Sequence, residues 1–282
     1  MTLAGVPVRD ALDSAVVAIA ASGSDTPRLD AELLLAHALG VDRAALITDP
    51  AREVAGSQAR AFQDLVRRRA ATGEPVAYLL GIKGFRHIEL LVDPRVLVPR
   101  PETEMLVESA LPLQDGSRVL DVGTGSGAVA LALKHERPGL SVTASDVSEE
   151  ALAVARENRD RLGLDVELVH GDLLEGLGGA WDAILSNPPY VALRDRASLP
   201  RDVVAHEPAG ALFGGEDGLD VVRRLIAQAA ATSTRLLALE IGAGQSDEVR
   251  ELVRAAGFHD VGARRDLGGI ERVVVGRRRR DR

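Results

Sequence analysis

The residues of this chain best suited to chemistry are Asn187-Pro188-Pro189-Tyr190, which follow the apolar run Trp181–Ser186. Two adjacent prolines hold the backbone extended and remove two N–H donors. The side-chain oxygen of Asn187 and the carbonyl oxygen of Pro188 can therefore act as fixed acceptors beside the aromatic plane of Tyr190. This set fits a planar NH2 group, either an amide or an exocyclic amine, that reacts at its nitrogen.

An amide nitrogen is a poor nucleophile because its lone pair is delocalised. Acceptors that bind both of its N–H groups would orient the nitrogen toward an electrophilic methyl group and stabilise the developing positive charge. We therefore predict Asn187, Pro188 and Tyr190 as catalytic residues, and Asn187 to Tyr190 as the substrate clamp. The structural alternative is a strand end that two prolines terminate.

A second candidate site lies upstream, where the predicted strand Val119–Val122 runs into the turn Gly123-Thr124-Gly125-Ser126-Gly127. Glycines let the backbone approach a ligand closely, and the helix that follows offers N–H groups to anionic groups. The turn also fits the dinucleotide-binding fingerprint of the Rossmann fold. A tight strand-to-helix turn without a ligand is the structural alternative.

Residues near the ends of the predicted strands extend this candidate cofactor site. Asp146 stands where the fingerprint places a carboxylate for ribose hydroxyls, and capping of the helix near Ser148 is its other possible role. Leu173 can cover one face of an adenine. Asp121 either holds the amino-acid end of a cofactor or is a surface carboxylate, and Asp172 is a loop carboxylate or a cap.

The composition limits the classes of function. A net charge of −8 and an aromatic content of 2% argue against binding of long nucleic acid. The chain has no cysteine, and its six histidines lack the spacing of a zinc motif, so we expect no metal. We find neither a signal peptide nor an apolar run long enough to span a membrane, and we expect a cytoplasmic protein.

The length of 282 residues fits two domains at roughly 150 residues each. Residues 1–75 are predicted to form a small bundle of helices, including Leu29–Leu39 and Gln58–Ala71. Residues 76–100 are predicted to be a β-hairpin linker, with strands at 76–81 and 85–92.

Residues 101–282 alternate between strands and helices, which predicts a doubly wound, mainly parallel α/β sheet. We predict strands at 118–122, 141–145, 166–169, 181–186, 235–241 and 271–276. Helices are predicted at 126–135, 148–161, 219–231 and 246–256. The stretch from Pro188 to Gly218 shows little regular pattern and is expected to be a functional loop. The tail 277–282 is expected to be a solvated end.

The chain resembles the release factor glutamine methyltransferases, the HemK/PrmC family, over nearly its whole length. The Pro99–Glu104 run before the glycine turn, together with the helical N-terminal domain, indicates this family rather than amino-methyltransferases in general. The matching segments are Gly73–Gly81, Leu97–Glu104, Asp121–Gly127, Ser186–Tyr190, His206–Pro208 and Gly215–Gly218.

This resemblance implies a seven-stranded Rossmann-like methyltransferase sheet of class I and S-adenosylmethionine as the methyl donor. It implies N5-methylation of the glutamine in the Gly-Gly-Gln motif of class I peptide chain release factors. The helical domain and the loop after Pro189 would dock the release factor, and the protein is expected to be a monomer. The residues that would contact the cofactor are Gly123, Thr124, Gly125, Ser126, Gly127, Asp146, Leu173 and Asn187.

Other functions remain open at this point. An adenine-N6 methyltransferase of DNA or RNA uses the same clamp on an exocyclic amine. A dinucleotide-dependent oxidoreductase would share the glycine turn but leave the clamp without a role. A donor-binding protein without catalytic activity is the third alternative.

Overall fold

The computed structural model describes residues 5–278, and its chain alternates between helices and short strands. The α-helices are α1 (Val8–Ala21), α2 (Pro27–Leu39), α3 (Arg43–Thr48), α4 (Gly56–Thr72), α5 (Val76–Leu80), α6 (Glu104–Ala110), α7 (Ala128–Glu136), α8 (Glu149–Leu162), α9 (Arg201–His206), α10 (Ala209–Leu212), α11 (Asp220–Ala230) and α12 (Ser246–Ala255). Two short 3-10 helices in this part of the chain are Pro101–Thr103 and Leu193–Ser198. The strands are β1 (Val6–Pro7), β2 (Glu53–Val54), β3 (Ile82–Phe85), β4 (Ile88–Leu91), β5 (Arg118–Val122), β6 (Ser141–Asp146), β7 (Glu167–His170), β8 (Ala183–Ser186), β9 (Leu236–Glu240), β10 (Asp260–Arg265) and β11 (Glu271–Arg277).

The first compact unit is helical and runs as far as Gly81, and the later segment Pro200–His206 also belongs to it. Helices α1, α2 and α4 bury one apolar face each in a common core, which the spacing of their leucines and isoleucines predicts. Inside this unit Arg69 donates to Asp30, with 2.9 Å between Nε and Oδ2, and lies 3.4 Å from a carboxylate oxygen of Asp202.

The segment Val76–Gly81 was predicted to be a strand, and this prediction is wrong because the segment forms α5. Pro75 precedes the helix, and its carbonyl accepts bonds from the backbone N–H groups of Tyr78 and Leu79 at 2.9 and 3.1 Å. Gly81 ends the helix in the left-handed conformation, with φ of 72°. Five residues are too few for a periodic pattern to distinguish a buried helix from a strand. The hairpin itself consists of β3 and β4.

The second unit comprises Ile82–Leu199 and the chain from Glu207 onward. Its sheet has seven strands in the order β10-β11-β9-β8-β5-β6-β7, which confirms the predicted fold class. Strands β5 to β9 pair in parallel, and β10 and β11 pair antiparallel at one edge. The central strands β8 and β9 are buried along their whole length, as their continuous apolar runs require.

Two other predictions differ from the structure. Strand β10 is missing from the predicted strands because it carries a glycine and two arginines and buries no residue fully. The stretch from Pro188 to Gly218 contains three short helices, each of six residues or fewer, which give little periodic signal.

Within the described part of the chain, no helix is long and apolar enough to cross a membrane.

The predicted solvated tail is wrong at Arg278, whose guanidinium group packs against the protein. It donates to the carbonyl oxygen of Thr232 and lies 4.4 Å from the centroid of the Phe258 ring. A cation over an aromatic face is attracted to it electrostatically. The arginine-rich sequence of the tail gives no sign of this contact. Residues 279–282 of the tail lie outside the described residues.

Candidate active site

The carboxyl ends of four parallel strands place the candidate residues in one row. Val122 of β5 pairs with Ser145 of β6 and with Ser186 of β8, and Ser186 pairs with Leu239 of β9. From β5 the chain adds β6 and β7 on one side of the sheet and then β8 and β9 on the other side. Open α/β sheets bind ligands at such a point, which here lies between β5 and β8. Parallel strands end at the same edge, so the row consists of the next residue in each: Gly123, Asp146, Asn187 and Glu240.

The glycine turn leaves β5 and enters α7 with three residues in the left-handed region. The φ angles of Gly123, Gly125 and Gly127 are 70°, 56° and 86°. A Cβ atom at Gly123 or Gly125 would meet no atom within 4 Å, so open space lies beside the backbone there. At Gly127 it would lie 2.7 Å from Cδ1 of Leu131. The first two glycines therefore give a ligand access, and the third allows close packing of the helix.

Asp146 lies beside this turn and binds backbone N–H groups with both carboxylate oxygens. Oδ2 accepts from the N–H of Gly125 and Oδ1 from that of Ser148, both at 2.9 Å. The N-cap of α8 is Ser148, whose hydroxyl oxygen accepts from the N–H of Ala151. Burial of Asp146 raises its pKa, and the hydrogen bonds from the backbone N–H groups offset part of this rise. A carboxylate can accept more than these bonds, so Asp146 keeps acceptor capacity for a hydroxyl group of a ligand.

Asp172 and Leu173 follow the third parallel strand, β7. Asp172 lies on the surface, 2.6 Å from the guanidinium group of Arg224, which agrees with a loop carboxylate. Leu173 is 9% exposed and packs in the core with Trp181 and Leu219. Its φ of 56° places a leucine in the left-handed region, at a cost of roughly 1 kcal/mol.

The Asp121 carboxylate is buried, so of its two predicted roles the surface carboxylate is wrong. Its Oδ2 accepts from the hydroxyl of Thr124 at 2.6 Å and from the N–H of Ala130 at 3.2 Å. Burial raises the pKa of Asp121 to about 7. Because Asp121 is the penultimate residue of β5 and lies under the turn, its side chain joins the turn to the first residues of α7 instead of facing solvent.

The clamp residues follow β8 directly, and a hydrogen bond holds the residue that precedes them. The Ser186 hydroxyl donates to the carbonyl oxygen of Val122 at 2.7 Å, which joins the end of β8 to the end of β5. Pro188 is buried, whereas Asn187, Pro189 and Tyr190 are half-buried. The clamp therefore borders the glycine turn and remains accessible to a ligand.

Two hydrogen bonds attach the clamp side chains to residues that were not predicted as site residues. The amide nitrogen of Asn187 donates to the hydroxyl oxygen of Thr103 at 3.2 Å. The Tyr190 hydroxyl donates to Glu240 at 3.3 Å. Burial raises the pKa of Tyr190, so this hydroxyl stays protonated. Thr103 and Glu240 are 4% and 1% exposed, so both belong to the interior beneath the clamp.

A glycine-rich loop supports the backbone of the clamp. The N–H of Gly214 donates to the carbonyl oxygen of Val191 at 3.0 Å. A Cβ at Gly214 would lie 2.3 Å from the carbonyl oxygen of Pro189, and one at Gly218 would lie 2.3 Å from that of Tyr190. The loop and the clamp therefore meet backbone to backbone, and only glycine fits at these two positions.

Sequence reasoning missed Thr103, Glu240 and Asn158. The buried amide of Asn158 donates to the carbonyl oxygens of Ser126 and Leu91, each at 3.0 Å, and so supports the glycine turn from α8. An asparagine inside a helix is an unfavourable choice that can signal such a role. Glu240 reaches the clamp through the sheet register, and Thr103 reaches it from the 3-10 helix Pro101–Thr103. Thr103 lies in the Pro99–Glu104 run, but no local pattern indicates its contact with the clamp.

Comparison with known proteins gives matches to both parts of the chain. Residues 10–81 match the model of the PrmC N-terminal domain, and residues 101–216 match that of the methyltransferase small domain.

Across residues 5–278, no group of three or more His, Asp and Glu side chains is arranged to hold a metal ion.

Curated relatives match over almost the whole chain. Release factor glutamine methyltransferase from Deinococcus radiodurans is 43% identical over 96% of this chain and 98% of its own length. The protein of the same name from Pseudomonas aeruginosa is 46% identical over 90% of this chain and 93% of its own. Among solved structures, a 16S rRNA methyltransferase from T. thermophilus in complex with AdoMet and guanosine has a TM-score of 0.51 at 19% identity, covering 70% of this chain and 50% of that chain. This structural likeness concerns the fold.

Proposed function

This chain belongs to the release factor glutamine methyltransferases, and on that premise we propose the reaction that its site performs. The enzyme transfers a methyl group from S-adenosylmethionine to N5 of the glutamine in the Gly-Gly-Gln motif of class I peptide chain release factors. The observation that carries this proposal is the shared row of Gly123 and Asn187, because it brings a nucleotide-binding turn next to an acceptor clamp for an NH2 group.

The residues around the turn fit an adenosine-containing donor. Open space lies beside Gly123 and Gly125, and the Asp146 carboxylate beside them retains acceptor capacity for ribose hydroxyls. We propose that Thr124, Ser126 and Gly127 complete the turn around this ligand. Leu173 and Asn187 would also contact it. When bound, S-adenosylmethionine supplies the electrophilic methyl group of a sulfonium.

The clamp activates a poor nucleophile by orientation. The side-chain oxygen of Asn187 and the carbonyl oxygen of Pro188 accept the two N–H bonds of the substrate carboxamide. They hold its nitrogen in place and stabilise the positive charge that develops as the nitrogen is alkylated. Pro189 keeps the backbone extended, and Tyr190 packs against the planar group. No strong base is needed, because the proton leaves to solvent after the transfer.

The protein substrate needs a larger surface than the clamp. We propose that the helical unit and the loop after Pro189 dock the release factor, and that the enzyme acts as a monomer in the cytoplasm, where release factors function. The net charge of −8 argues against long nucleic acid as the substrate.

Incubation with a labelled methyl donor tests this function. The enzyme is mixed with a release factor, with the same factor carrying Gln→Ala in its Gly-Gly-Gln motif, and separately with DNA and RNA. Label is expected in the unaltered factor alone. Label in DNA or RNA and not in the factor would instead support adenine-N6 methylation.

A further inference from the structure

The orientation of the Asn187 amide decides whether the clamp can accept hydrogen bonds from a substrate. We propose that Glu240 is a positioning residue for this orientation. Through the hydroxyl of Thr103, its buried carboxylate turns the amide nitrogen of Asn187 inward and leaves the amide oxygen for the substrate. This inference rests on the proposed function and assigns that reaction two further residues.

The contacts form a continuous chain beneath the clamp. The amide nitrogen of Asn187 lies 3.2 Å from Oγ1 of Thr103. The Thr103 hydroxyl is close enough to the carboxyl group of Glu240 to lower its pKa. The Tyr190 hydroxyl bonds Oε1 of the same carboxyl at 3.3 Å. One buried acid therefore connects the side chains of both polar clamp residues.

Counting the protons fixes the direction of each bond. An ionised carboxylate only accepts, so the hydroxyls of Thr103 and Tyr190 must both donate to Glu240. The Thr103 hydroxyl has one proton, and once that proton is donated its oxygen can only accept. Its partner in Asn187 must then be the NH2 end of the amide. The opposite orientation would leave an acceptor facing an acceptor.

The wrong orientation would impair the reaction directly. An inward oxygen would turn the Asn187 NH2 group toward the NH2 group of the substrate, so that donor faces donor. The clamp would lose one of its two acceptors at the reacting nitrogen. The loss would affect turnover more than donor binding, because Asp146 and the glycine turn bind the donor separately.

The surroundings of Glu240 determine where this mechanism is sensitive to pH. Burial raises the pKa of Glu240 to about 7, and its Oε2 has no hydrogen-bond partner among residues 5–278. Glu102 also raises this pKa, whereas Arg272 and the Thr103 and Tyr190 hydroxyls lower it. A protonated Glu240 can donate to Thr103 and so reverse the chain. The acceptor-only form is present above about pH 7 and is lost as the pH falls through that value.

Substitution of Thr103 tests the chain of bonds. Thr103→Val keeps the shape and removes the hydroxyl, so kcat for release factor methylation is expected to fall at least about tenfold. The Kd for S-adenosylmethionine should stay within about threefold, and Thr103→Ser should restore most of the rate. Thr143→Val is the matched control. Thr143 of β6 is about as buried as Thr103, and its hydroxyl donates to Glu167 of β7 at 3.0 Å. A wild-type rate in Thr103→Val would overturn the inference.

A double-mutant cycle separates positioning from general damage. In the Asn187→Ala background, Thr103→Val is expected to cause no further loss of rate, because Thr103 acts through Asn187. If the two substitutions instead lowered the rate by independent factors that multiply in the double variant, the inference would be contradicted. Glu240→Gln should also remove the fall in kcat that the wild type shows between about pH 8 and pH 6. An unchanged pH profile in that variant would count against Glu240.

A readout without turnover keeps this inference separate from the proposed function. The side-chain NH2 signal of Asn187 in an NMR spectrum is identified by its disappearance in Asn187→Ala. Its hydrogen exchange is expected to be slow in the wild type and in Thr143→Val, and faster in Thr103→Val. Equal exchange rates in all three proteins would overturn the inference even if no methylation were seen. A wild type that fails to methylate while these exchange rates differ would contradict the proposed function alone.

Discussion

At the level of single residues, the proposed site divides into groups that would bind a ligand and groups that would hold those binding groups in place. We propose that Asn187 and Asp146 belong to the first kind, and both were predicted from the sequence because each follows a predicted strand. Thr103 and Glu240 belong to the second kind. Both are far from the clamp in the chain. Glu240 meets it through the register of β8 and β9, and Thr103 meets it from the 3-10 helix Pro101–Thr103. Local patterns contain no information about such a contact.

Replacement of Asn187 tests the clamp. Asn187→Ala removes an acceptor that is needed most in the transition state, so kcat should fall by roughly two orders of magnitude, as for removal of one preorganised polar group in other enzymes. Steady-state kinetics with the release factor measures this effect. Calorimetry with S-adenosylmethionine should show a Kd within about threefold of the wild type. A normal turnover rate would remove Asn187 from the mechanism.

Replacement of Asp146 tests the cofactor site. Asp146→Ala removes the acceptor beside Gly125, so the Kd for S-adenosylmethionine should rise about tenfold or more, as loss of a charged hydrogen bond predicts. Asp160→Ala is the control, because that carboxylate lies on the exposed face of α8 and pairs with Arg159. Equal affinity in both variants would leave Asp146 with a purely structural role at the turn.

At the level of elements, long periodic segments were predictable and short ones were not. Helices α8 and α11 and the buried strand β5 agree with their predicted positions to within one or two residues. The failures include α5 and β10. In α5 a local proline and glycine decided the conformation, and β10 pairs only at the sheet edge and carries no strong apolar alternation. Their conformations depend on tertiary packing or on capping more than on periodicity.

The loop that supports the clamp can be tested at Gly218. Its φ is 84°, and a Cβ there would lie 2.3 Å from the carbonyl oxygen of Tyr190. Gly218→Ala should therefore lower the free energy of unfolding by more than about 1 kcal/mol and reduce turnover by displacing the clamp. Chemical denaturation and kinetics measure the two effects.

Gly210→Ala is the matched control in the same stretch of chain. A Cβ at Gly210 would meet nothing within 4 Å, and the residue lies in α10, so alanine should be neutral or slightly stabilising. If Gly218→Ala behaved like this control, the loop would not constrain the clamp.

At the level of the whole molecule, the second unit holds buried acids at the carboxyl edge of its sheet, which should make its stability depend on pH. Burial raises the pKa of Asp121 to about 7, well above its unfolded value near 3.8. The folded state therefore binds the proton more tightly than the unfolded state. Between about pH 4 and pH 7 this residue destabilises the fold increasingly as the pH rises, and above pH 7 its effect is constant.

Asp121→Asn tests this linkage because it keeps an acceptor oxygen for Thr124 and cannot ionise. The unfolding free energy of the variant relative to the wild type should rise between about pH 4 and pH 7, by at most about 4 kcal/mol. Denaturant titrations across this range measure the difference, with Asp160→Asn as the exposed control. A difference independent of pH would contradict the raised pKa.

The most direct measurement for the whole account is mass spectrometry of the release factor after incubation with this enzyme and S-adenosylmethionine. The peptide containing the Gly-Gly-Gln motif should gain one methyl group, and fragmentation should place it on the side-chain nitrogen of the glutamine. The same peptide should stay unmodified with the Asn187→Ala variant. An unmodified peptide with the wild-type enzyme, or a methyl group at another residue, would contradict the assignment of the clamp to a glutamine carboxamide.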